Sequence, residues 1–119
     1  MSSPYAFGPN FSKTQVITAT STSASATLDA TDVSSTPTPA NSGPSGGHSV
    51  MRIVVQGTAG TGKVFLRWGV GAQTALVTDM PMLSGTVELF SKASDVNTVA
   101  AITSGSDTAN VYITCGEGL

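Results

Sequence analysis

Along residues 50–119, large apolar side chains recur at every second position in short runs, separated by stretches rich in glycine, serine, threonine, asparagine or aspartate. In the run 50–56, Met51, Ile53 and Val55 share one side of an extended chain and Arg52 lies on the other. The run 63–68 sets Val64, Leu66 and Trp68 against Phe65 and Arg67. Further runs cover 74–78, 85–91 (Val87 and Leu89 against Glu88 and Phe90), 97–103 and 109–115, where Val111 and Ile113 alternate with Tyr112. Successive side chains of a strand point to opposite faces, so a period of two predicts half-buried strands. Starts near 50, 63, 74, 85, 97 and 109 have the roughly 8–12-residue spacing of a β-sandwich or barrel. No window shows the i, i+3, i+4 recurrence of a helix; one short turn is expected around 93–96.

Residues 1–48 are built differently. They hold eight large apolar side chains against 25 in residues 49–119, and five of the six prolines. A segment so poor in apolar surface cannot offset its own ordering entropy. Its Thr-rich stretches still favour a pleated surface, which predicts strands at 14–20 and 24–29. The expected organisation is an extended N-terminal arm at 1–13 and a β-sandwich domain at 14–119, with a long Pro/Gly/Ser-rich loop at 34–48. The fold class is therefore all-β, with about eight short antiparallel strands in a jelly-roll-like β-sandwich.

Composition narrows the function. Only 10% of the 119 residues are charged and the net charge is −2, against roughly 25% charged in an ordinary domain. Five basic residues leave no electrostatic footprint for nucleic acid. No apolar run reaches the ~18 residues of a membrane span, and the first residues lack the basic end and apolar stretch of a secretory leader. Sixteen Ser and seventeen Thr replace the usual charges.

Candidate chemistry is sparse. Gly57-Thr-Ala-Gly-Thr-Gly-Lys63 fits the spacing of a phosphate-binding loop. That loop needs Ser or Thr after the Lys and a following helix; here Val64 follows and the chain reads as a strand, so a hairpin loop is expected. His48, beside Gly47 and Ser49, reads as a solvent-exposed loop residue, and Cys115, on the last strand with no basic neighbour in sequence, as a buried structural thiol. The carboxylates Asp29, Asp32, Asp79, Glu88, Asp95, Asp107 and Glu117 are scattered, Asp95 and Asp107 falling where loop aspartates cap turns. No catalytic, cofactor-binding or metal-ligating set is expected. Trp68 and Phe90 could stack a sugar, but Trp68 lies in phase with Val64 and Leu66 and reads as core. The arm aromatics Tyr5, Phe7 and Phe11, set among Pro4, Gly8, Pro9 and Asn10, are the expected partner-binding residues. An extended arm can anchor aromatic side chains on a neighbouring chain.

Four stretches of residues 50–119 carry a family resemblance: Val64-Phe-Leu-Arg-Trp-Gly69, Asp79-Met-Pro-Met-Leu-Ser-Gly-Thr-Val-Glu-Leu-Phe90, Val99-Ala-Ala-Ile-Thr103 and Val111-Tyr-Ile-Thr-Cys-Gly-Glu-Gly-Leu119. Together they resemble the small jelly-roll capsid cement or decoration proteins of tailed double-stranded DNA bacteriophages, with Ser84 and Cys115 standing where that pattern has proline. The resemblance implies a non-enzymatic virion protein on the capsid surface, assembled in the host cytoplasm. Its implied partners are the major capsid protein and itself, as homodimer or homotrimer. The alternative use of such a sandwich is a carbohydrate- or receptor-binding module on a tail or baseplate.

Overall fold

The structure, a computed structural model, describes residues 8–9, 13–28, 50–93 and 95–117. In chain order its strands are β1 (Gly8–Pro9), β2 (Gln15–Ala19), β3 (Ala24–Thr27), β4 (Val50–Ala59), β5 (Val64–Gly69), β6 (Met80–Met82), β7 (Val87–Ser91), β8 (Thr98–Ile102) and β9 (Thr108–Glu117). The described residues contain no helix. β2 pairs with β9, β3 with β8, β4 with β7 and β5 with β6, all antiparallel. This is one long double ribbon. It rolls up because β4 also pairs with β9 and β5 with β8. Sheet A then runs β2-β9-β4-β7 and sheet B runs β3-β8-β5-β6, the strand order of a jelly roll. The two-residue β1 prolongs the β2 edge, setting Gly8 against Glu117 and Pro9 against Gly116.

The period-two alternation decides what lies between the sheets. Met51, Ile53 and Val55 from β4 and Val111 and Ile113 from β9 meet Val64 and Leu66 from β5 and Val99 and Ala101 from β8, all buried in one cluster. Six strands fall where they are expected, at 50–56, 63–68, 97–103 and 109–115 from alternation and at 14–20 and 24–29 from threonine content, within three residues at either end. The run 85–91 begins its strand two residues late, at Val87. Where a turn is expected around 93–96, the Val96 N–H donates to the Ala93 carbonyl at 3.0 Å.

The run 74–78 is a correction, because it forms no strand and β6 begins only at Met80. Asp79 supplies the reason. Its carboxylate accepts the Leu76 N–H at 2.7 Å, and the Asp79 N–H donates to the Leu76 carbonyl at 2.9 Å, closing a turn. The other carboxylate oxygen takes Nε and a terminal nitrogen of Arg67 at 3.2 and 3.0 Å. Arg67 pairs in register with Ala100, and Ala100 with Ser25, so all three share the outer face of sheet B. The Ala75 N–H reaches Ser23 Oγ at 2.8 Å. Segment 70–79 is thus tied to this outer face at two points, and Ala100, although it points away from the core, is fully buried.

The Leu76 N–H bond and the neighbouring Arg67 hold the Asp79 carboxyl below its ordinary value of 3.8, against the raising effect of burial. A carboxylate with a depressed folded-state value stabilises above its unfolded value, and that contribution is lost as pH falls through the folded value. Acidification below about pH 4 should therefore loosen segment 70–79 first. Amide exchange checks this. The Leu76 amide should lose protection in acid, and Asp79→Asn should produce a comparable loss at neutral pH. Unchanged Leu76 protection in the variant would remove Asp79 as the anchor.

Candidate interaction surface

The glycine-rich run between β4 and β5 is a connection between the two sheets. It is not the hairpin loop expected from its spacing, because β4 and β5 lie in different sheets. The strand register of β4 against β9 shifts between Gly57 and Ala59, and such a bulge bends a strand. The bend brings Gly57 against Gly62. A Cβ at Gly62 would lie 2.5 Å from the Gly57 Cα and 3.0 Å from the Ser84 Cβ. The Gly57 N–H donates to Ser84 Oγ at 2.9 Å. Asp107 faces the turn from the loop before β9, accepting the Thr61 N–H at 3.1 Å and the Thr61 hydroxyl at 2.6 Å. The amide that a phosphate would use is therefore bonded to a carboxylate of the same chain. Lys63 Nζ sits 5.5 Å from the centre of the Phe65 ring. The two glycines at this spacing serve a close backbone crossing, and Asp107 caps a turn, that of another loop.

Trp68 and Phe90 come from facing sheets and meet with ring centres 5.1 Å apart, tilted by 53°. Both are partly buried and pack on the core, as the phase of Trp68 implies. Such a tilted pair contributes about 0.5–1.5 kcal/mol beyond its buried area. Cys115 is buried in the core cluster, as expected. The fold brings Lys92, invisible as a neighbour in sequence, close enough for the two to interact electrostatically. Lys92 is itself buried, donates to the Val96 carbonyl at 3.2 Å and is pushed to a lower pKa by desolvation. Among the described residues, no three His, Cys, Asp or Glu side chains gather at a metal-sized site. Tyr5, Phe7, Phe11, His48, Asp29 and Asp32 lie outside the described residues.

The outer face of sheet A carries a different pattern. Register aligns Val16 with Tyr112, Tyr112 with Val54 and Val54 with Val87, one row across all four strands. The neighbouring row sets Thr114 beside Arg52 and Arg52 beside Leu89. Val16 and Val87 are about half exposed, and Leu89 is exposed too. Arg52 is the single charge among the described outward residues of these strands. Tyr112 donates its hydroxyl to Gln56 Oε1 at 3.3 Å along the same face, and Thr14 and Thr114 share a hydroxyl–hydroxyl bond at 2.7 Å. The face is apolar along one row and carries one charge, Arg52, in the next, so covering it desolvates few charges. Alternation marks Val87 and Leu89 as a pair but not as an outward one. Their direction follows from Phe90 pairing with the inward Met51.

No family model matches the chain, and no significant match is found to a curated protein or a solved structure.

Proposed function

We propose that the chain is a virion structural protein that binds the outer surface of a bacteriophage capsid and ties neighbouring major capsid subunits together. The sequence resemblance suggests the capsid, and the jelly roll is the fold which that resemblance implies. The observation that carries the reading is the neutral, apolar outer row Val16–Tyr112–Val54–Val87, a surface suited to being covered. The work is burial of area: a specific, stable contact covers about 1,600 Å² in total, and many copies on one shell add through multivalency. The arm residues Tyr5, Phe7 and Phe11 would extend that contact onto a neighbour.

Quantitative protein analysis of purified particles tests the reading. Near-fixed stoichiometry to the major capsid protein is expected, with particles stripped of this chain opening at lower temperature and regaining resistance when it is added back. A few copies per particle would move it to a tail or baseplate. Finding it only free, never on particles, would overturn the proposal.

A further inference from the structure

The two arginines of the chain stand on the outer faces of opposite sheets, Arg67 on sheet B and Arg52 on sheet A. Arg67 has its own anion, since Nε and a terminal nitrogen bond Asp79 at 3.2 and 3.0 Å. Arg52 is exposed, and among the described residues no carboxylate bonds to it. Strand register shows why. Thr114 and Leu89 flank Arg52 on the neighbouring strands, Val54 follows it along β4, and Tyr112 and Val87 lie diagonal to it. Every position around it on that face is aliphatic, aromatic, hydroxyl-bearing or glycine. Glu88 stands opposite the inward Ile53 and so belongs to the other face.

Arg52 is therefore the point at which covering sheet A costs most. It lies in the row adjoining Val16–Tyr112–Val54–Val87, so a partner seated on that row also comes over the guanidinium. A guanidinium cannot shed its proton. Taken out of water with no counter-charge, it costs more than the small side chains around it return. The group that offsets this cost is a carboxylate, which takes two parallel N–H···O bonds from the planar fork. Arginine and tyrosine are also the side chains that most often carry the centre of an interface, and here Arg52 and Tyr112 are diagonal neighbours.

We infer that Arg52 is the specificity contact of the sheet A face and receives an Asp or Glu carboxylate of the major capsid protein, set in an apolar surround that meets Val54, Val87 and Leu89. Resting on the capsid reading, this contact adds the chemistry of the partner surface: apolar, with one acid near its middle. Discrimination then works in two ways. A surface without the acid leaves the guanidinium unpaired, and a surface with Lys or Arg at that point is repelled. Lys63, by contrast, sits beside the Phe65 ring at 5.5 Å, on a strand of the other sheet.

Binding of the full chain to particles stripped of it tests the inference, with association and dissociation followed separately. Arg52→Met keeps an apolar stem and removes the charge. It should weaken binding at least about thirtyfold, mainly through faster dissociation, because it strands a covered carboxylate. Arg52→Lys keeps the charge without the fork and should fall between Arg52→Met and wild type. Lys63→Met removes a charge from the other sheet and should leave binding unchanged. Amidating the carboxylates of the stripped particles, with a carbodiimide and a neutral amine, should erase the difference between wild type and Arg52→Met. Circular dichroism reports whether each variant is folded; should Arg52→Met fail to fold, Arg52→Lys decides in its place. Wild type that does not bind stripped particles would overturn the capsid reading and this inference with it. Wild-type binding that Arg52→Met matches would overturn the inference alone. So would a loss confined to association and abolished by about 0.5 M salt, the mark of a peripheral charge. An undiminished difference on amidated particles would overturn it too, since the group opposite Arg52 would not be a carboxylate.

Discussion

Gly62→Ala should lower the unfolding free energy by about 3 kcal/mol or more, out of a total of about 5–15 kcal/mol for an ordinary domain. Two separate costs combine. Gly62 has φ +66°, a left-handed conformation that an L side chain adopts at about 1–2 kcal/mol. The new methyl would also stand 2.5 Å from the Gly57 Cα and 3.0 Å from the Ser84 Cβ. The first of these is backbone in a paired strand, so relief requires moving β4, and overpacking of this kind costs about 1–3 kcal/mol. Gly105 separates the two costs. Its φ is +62°, but an added Cβ meets nothing within 4 Å, so Gly105→Ala should cost only about 1–2 kcal/mol. Urea titrations of both variants with unchanged m-values make the comparison. Equal losses would show that the Gly57–Gly62 crossing contributes nothing to the tightness of this turn.

Ile53→Ala is expected to be as damaging, at about 2–5 kcal/mol. Ile53 is fully buried on β4, paired with Ile113 on one side and Glu88 on the other. Its neighbours belong to paired strands and cannot collapse into the space a truncation leaves, so the cavity cost adds to the lost transfer energy. A fall in melting temperature of about 10 °C or more should follow. Val54, the next residue, points out of the same strand into the partly exposed row, and Val54→Ala should cost less than about 1 kcal/mol. The pair reads the phase of the strand directly: if Val54→Ala were the more costly, the assignment of faces on sheet A would be reversed.

Most of the strands are legible because alternation is local. A run such as Val64-Phe-Leu-Arg-Trp carries its period of two whatever it packs against, and turn residues mark its ends. The run 74–78 misleads for a non-local reason. Thr74-Ala-Leu-Val-Thr78 has strand-like composition, but Asp79 captures the Leu76 N–H and Arg67 on the neighbouring strand. Those two bonds outweigh a weak β-propensity. The run Gly57–Gly62, expected to be a hairpin loop, misleads similarly, since its two glycines answer a crossing of backbones between sheets that no local pattern announces. The Lys92–Cys115 neighbourhood also joins residues 23 positions apart.

From the chain alone come the all-β class, seven of the strands, most of their limits and the two sides of each, because these depend on side-chain direction and turn chemistry within a few residues. The low charge likewise speaks from composition for a surface easily covered. Tertiary structure alone decided which side of each strand is inside and, among the described residues, which strands stand at the margins of the sheets. Register with Met51 turned Phe90 in and Val87 and Leu89 out, and the rolling of the ribbon left β7 at the margin of its sheet. Pairing is a contract between distant segments, and a strand shifted by one residue would exchange its faces. The row and the adjoining Arg52 on which the functional readings rest therefore come together only once four strands are aligned.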